Sequence, residues 1–214
     1  MNVTILAAAA IVAAIVISQV LKYVKGQRGR DMSSLAATAS VDLEEYGPEL
    51  KLLEGTGLPF FVDGRSGVGR YLLRFPEQDG AKACYFDYSC LLGYGKEQIK
   101  RQSTVALFDF NKGAFPDFHL SAEGNFEKET SGLEPVDMAL FSGLPPGAKL
   151  YGRDLAALKK LFTPEIAACF SEHPGWSAQG AGRYLVMYKG HKLLNTGKYR
   201  EFMAEAEKLA FNLA

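Results

Sequence analysis

Cysteine, histidine and tryptophan are scarce in this 214-residue chain, with three, three and one copies. The cysteines, Cys84, Cys90 and Cys169, are an odd and sparse set that makes no disulfide framework, which agrees with a reducing compartment. Net charge is absent as well, 24 basic residues balancing 24 acidic ones. Without a basic stripe, nucleic acid is not expected as a partner. Catalytic and ligand-binding motifs are also missing. No residue is therefore assigned a catalytic, cofactor-binding or metal-ligating role, no cofactor is expected, and the chain reads as a non-enzyme.

One further absence is local. From Val3 to Leu21 there is no charge, and the segment is mostly aliphatic, interrupted only by Thr4, Ser18 and Gln19. About 20 apolar residues rising ~1.5 Å each span the ~30 Å hydrocarbon core of a bilayer. Lys22, Lys25, Arg28 and Arg30 follow at once and mark the cytoplasmic side. A cleaved signal peptide fits less well. No basic region precedes the run, and the best cleavage-like triplet, Ala37-Thr38-Ala39, lies well past it. A buried core helix would carry a polar stripe. The sequence thus predicts a single-pass protein of the cell (inner) membrane, held through residues 3–21, with its amino terminus outside and its C-terminal domain cytoplasmic.

The domain reading is an anchor with basic flank over 1–30, a linker over 31–48, and a soluble domain over 49–214. Beyond the anchor and its four basic residues, 20 basic residues face 24 acidic ones, a net of −4. Only the segment just after the anchor should meet lipid headgroups.

Within the soluble part, glycine-rich sequence from Leu50 to Phe75 holds two short apolar runs, LPFFV and RYLLRF, that read as strands or loops. KACYFDYSCLL is clearer. Cys84, Phe86, Tyr88, Cys90 and Leu92 alternate with Tyr85, Asp87, Ser89 and Leu91, a period of two that places the even positions on one face. A turn at Gly93-Tyr94-Gly95-Lys96 and the run QIKRQSTVALFDF complete a long antiparallel hairpin. FPDFHLSAEG reads as another strand, and WSAQGAGRYLVMYKG as a short hairpin around Gly180-Ala181-Gly182. Asp154 caps one helix. Thr163-Pro164-Glu165 starts a second, which stops before Pro174-Gly175. Tyr199, Phe202, Met203, Ala206, Leu209, Ala210 and Leu213 recur at helical spacing, with Glu205 and Lys208 on the opposite face. The fold class is α+β: one transmembrane helix, then a mainly antiparallel sheet whose C-terminal helices cover one face.

Several side chains invite chemistry. Cys169 and His173 sit four apart on a helix and share a face, as an imidazole-activated thiolate would. Spacing supplies no orienting acid, so a buried cysteine and a helix-ending histidine is the plainer reading. Cys84 and Cys90 are ~20 Å apart along an extended strand, too far to clamp one metal, and read as core. Gly64 to Gly69 has the glycines of a phosphate loop but no Gly-Lys-Ser/Thr ending, and reads as a turn. Asp87 could be a buried carboxylate with a shifted pKa, but the plainer reading is a residue on the solvated face or hydrogen-bonded to a neighbouring strand. His119 and His191 stand alone.

The succession YFDYSC, STVALFDF, FPDFHL, then LYGRD and PGW followed by a hairpin, resembles an uncharacterised family of bacterial membrane-anchored proteins. Members pair one or two N-terminal transmembrane helices with a cytoplasmic α+β domain of no assigned activity. The resemblance covers roughly residues 80–190 and carries no site residues. It implies a bacterial source and the membrane-tethered arrangement. The leading functional expectation is a tethered protein-interaction or scaffolding module. The alternatives are a small hydrophobic-ligand or lipid-binding domain and, further back, an enzyme using Cys169 or Asp87.

Overall fold

The computed structural model describes residues 26–47, 50–62, 65–93, 98–112, 115–122 and 132–214. The expected anchor at 3–21 lies outside them. Among the described residues no helix is long and apolar enough to cross a membrane.

The chain divides into two compact units, Met1–Val41 and Asp42–Ala214. In the first, residues 26–39 form helix α1. It ends where Ser40 turns left-handed (φ 54°) and the Val41 amide donates back to the Ala36 carbonyl at 3.1 Å. The stretch 31–48, expected as a linker with room for one short helix before Pro48, holds more structure than that in its described residues. Residues 31–39 complete α1, and Leu43–Tyr46 is a strand of the second unit.

Among the described residues, that second unit is built on one antiparallel sheet of nine strands: β1 (Leu43–Tyr46), β2 (Arg65–Arg74), β3 (Ala81–Leu92), β4 (Ile99–Phe110), β5 (Phe115–Ser121), β6 (Glu134–Pro135), β7 (Lys149–Gly152), β8 (Trp176–Gly182) and β9 (Tyr184–Lys189). Their spatial order is β1-β2-β3-β4-β9-β8-β5-β7-β6. The backbone of the sheet is the β3–β4 hairpin, in unbroken register from Ala81↔Phe110 to Leu92↔Ile99. Of Gly64 to Gly69, expected as a turn, Gly64 lies outside the described residues and the rest belongs to β2. That part pairs with β3 through an irregularity between Arg65 and Val68, where Ser66 is left-handed. The β8–β9 hairpin turns at Gly182-Arg183, between the paired Ala181 and Tyr184.

Helices cover both faces of the β3–β4 region, so Tyr85, Phe86, Asp87 and Tyr88 are all buried in succession. Helix α6 (Tyr199–Leu213) takes the odd-numbered face with the stripe the sequence predicts: Phe202 stacks on Trp176 with centroids 4.8 Å apart and meets Tyr85 edge-on. Helices α4 (Leu155–Leu161) and α5 (Pro164–Glu172) extend this cover, Phe162 lying edge-on to Phe118 of β5. Their starts are as expected. Asp154 accepts from the amides of Ala156 and Ala157, and Thr163 accepts from Ile166.

The even-numbered face is covered from the other end of the sequence. Helices α2 (Leu50–Glu54) and α3 (Pro59–Val62) occupy the stretch expected as strands or loops. Phe60 and Phe61 pack there on Phe86, Tyr88 and Tyr188. A four-residue helix cannot hold itself together. Side chains of the sheet hold this one: Gln179 Oε1 accepts from the Phe60 amide at 2.7 Å, while buried Arg101 donates to the Phe60 carbonyl and lies 4.2 Å from its ring.

Candidate functional site

The residues singled out from sequence are engaged in structural contacts and do not converge on one site, although His119 and His191, read as standing alone, both meet Tyr188. Cys169 and His173 share α5, but Cys169 Sγ accepts from Asn212 at 3.4 Å, while the His173 ring faces Glu205 (3.8 Å) and Lys208 (3.1 Å). Asp87 accepts from the Thr104 hydroxyl at 3.0 Å, its direct cross-strand partner. Cys90 is buried in the core below α3. His119 is fully buried, its Nε2 3.3 Å from the Tyr188 hydroxyl. Burial, with help from nearby His191 and Arg101, pushes its pKa down to about 3, so the ring is neutral at physiological pH. His119 Nδ1 and Gln179 Nε2, on directly paired residues, have no hydrogen-bond partner among the described residues. Among those residues there is also no group of three or more His, Cys, Asp or Glu placed to hold a metal ion.

Glu205 is the best-connected carboxylate. It accepts from Trp176 Nε1 at 2.9 Å and pairs with Lys189. Burial pushes its pKa up, but the hydrogen bonds from Lys189 and Trp176 outweigh that and hold it below the usual carboxylate value. The sequence placed it on a solvated face. Its side chain is only 18% exposed.

An open groove of about 170 Å³ lies on the even-numbered face, beside α2. Cys84 and Leu107, directly opposed across the sheet, form its floor, and Leu52, Thr56 and Tyr184 are among the other residues that line it. Two same-face rows of the sheet set this geometry: Cys84 opposes Leu107, and Lys82 opposes Asp109, which in turn opposes Tyr184. Leu52 is 54% exposed at the mouth. Arg74 and Lys82 bring positive charge to the rim and Asp109 negative charge. Cys84, read from sequence as core, packs against the core cluster and also faces the groove. Burial pushes its thiol up to about 12, opposed by Arg74 and reinforced by Asp109 and Glu44, so it is no nucleophile at neutral pH. Sequence reasoning missed the groove because five separated segments build it. The alternation of β3, which sets Lys82 on the same face as Cys84, was the one signal available.

No family model and no curated protein matches the chain. Among solved structures, the mycobacterial trehalose monomycolate transport factor A, TtfA, has a similar fold. The TM-score is 0.62 at 13% identity, over 87% of this chain and 96% of that one. At that identity the likeness is one of fold alone.

Proposed function

We propose that this chain is a membrane-tethered, non-enzymatic module that organises a transport assembly by binding another protein at the cytoplasmic surface. One observation carries the reading: the fold is shared with nearly the whole of a bacterial transport factor, 96% of its length. The uncharged run from Val3 to Leu21 and the basic residues after it supply the tether. The contacts of Cys169, Asp87 and His173 support a structural duty for the side chains that an enzyme would use. The test is affinity purification of the full chain, in mild detergent, from its own host after chemical cross-linking. A polytopic membrane transporter should be recovered, and should be lost when residues 3–21 are deleted. Recovery of the chain with no membrane protein linked to it would sink the reading.

The groove beside Leu52 and Tyr184 favours a second reading, a small hydrophobic-ligand or lipid-binding domain. The two are compatible, because the groove and the tether are separate parts of the chain.

A further inference from the structure

We propose that the groove between α2 and the ends of β2, β3, β4 and β9 binds one unbranched alkyl chain whose anionic head is held by Lys82. This rests on the lipid-binding reading and is independent of partner recruitment.

Size selects the tail. Ordinary ligand pockets start near ~300 Å³. At about 170 Å³ the groove is smaller than that, and suits the end of one alkyl chain. Its floor, Cys84 and Leu107, offers no charged group to such a chain, and exposed Leu52 extends the apolar surface outward.

Charge selects the head. Arg74 is held by Glu44 at 2.7 Å, and Asp109 is held by Arg183. Each of these ion pairs is neutral in itself. The Lys82 side chain makes no hydrogen bond or ion pair among the described residues, and it stands in the row beside the floor, opposite Asp109 and one same-face position from Cys84. The rim is left with one positive charge in surplus, next to the apolar floor. A carboxylate or similar anion on an alkyl chain places both parts at once.

The full chain, in nanodiscs of zwitterionic phosphatidylcholine, is photolabelled with octanoate bearing a terminal diazirine, and labelled peptides are identified by mass spectrometry. Label is expected on groove residues such as Leu52, Cys84 and Tyr184, and unlabelled octanoate should displace it. Competition should strengthen about fourfold per methylene from butanoate to octanoate, then level off as the groove fills. Lys82→Glu should cut labelling about fivefold or more, Lys82→Arg should preserve it, and neutral octanamide should compete correspondingly less well. Competable label confined to another surface would overturn the groove assignment while leaving a lipid-binding protein. No competable label anywhere would overturn both. Equal competition by octanamide, or an unaffected Lys82→Glu variant, would overturn the role given to the anionic head.

Discussion

Glu205 bridges α6 to the sheet, and its removal exposes how much a single carboxylate can matter. Glu205→Ala leaves the buried Trp176 N–H without its acceptor and Lys189 without its counter-ion. A loss of ~1–3 kcal/mol is expected, read as a lower melting temperature. Lys208→Ala, on an exposed pair with Glu172, should stay within ~0.5 kcal/mol. Acid should act on the same point. The folded pKa of Glu205 lies below its ordinary value of 4.5, so its contribution is present above that pH and is lost as pH falls through the folded value. His119 adds a second acid sensitivity with the same direction. It is buried neutral with a pKa of about 3 against 6.5 in the unfolded chain, so the unfolded state takes up a proton first as pH falls. Melting temperature should decline from about pH 6.5 downwards, and the decline between there and pH 4.5 should be flatter in His119→Gln. An identical profile in that variant would remove His119 from the account.

At the scale of elements, the two covers of the sheet are made differently. Helix α6 is long enough to be set by its own pattern, and its buried stripe is the one expected from spacing except at Met203, which is half-buried. Phe202→Ala and Leu209→Ala should each leave a cavity and cost ~2–5 kcal/mol. Thermal melts decide this: an unmoved melting point with loss of a bound partner would make α6 a docking element instead. Helix α3 is too short for a pattern and depends on Gln179 and Arg101 from distant strands. Gln179→Leu should therefore speed amide hydrogen exchange in Phe60 and Phe61 far more than in β3, with exchange measured by mass spectrometry or NMR. The sheet edges are blunted by composition. Outer strand β1 carries exposed Glu44 and Glu45, and outer strand β6 ends in Pro135, so neither invites pairing with another chain.

For the whole molecule, the second unit contains its own sheet and helical covers on both faces of the β3–β4 region. Residues 42–214 expressed alone should be soluble and unfold in one cooperative step, whereas a fragment begun at residue 49, where the sequence reading placed the domain, lacks β1 and should melt lower. Equal melting of the two fragments would show β1 to be dispensable. A reporter fused after Ala214 should be active only if it works in the cytoplasm, and activity of a periplasm-dependent reporter would reverse the topology read from the basic flank.

What the sequence determined by itself is what local pattern can carry. The period of two in KACYFDYSCLL defined a strand and its faces. The helical spacing from Tyr199 to Leu213 defined α6, and Asp154 and Thr163-Pro164 announced α4 and α5, because capping and amphipathicity act over a few residues. The uncharged run from Val3 to Leu21 set the expectation of a tether for the same reason. What only the tertiary structure decided is whatever depends on distant segments meeting. LPFFV became a helix because Gln179 and Arg101 satisfy its backbone from other strands. Asp87 became buried because helices reach both faces of β3. Glu205 left solvent because Trp176 and Lys189 come to it, and Cys84 and Lys82 became neighbours of Leu52 and Tyr184 only once five segments closed around one groove. Burial and charge pairing are properties of the assembled fold, and no window along the chain contains both partners.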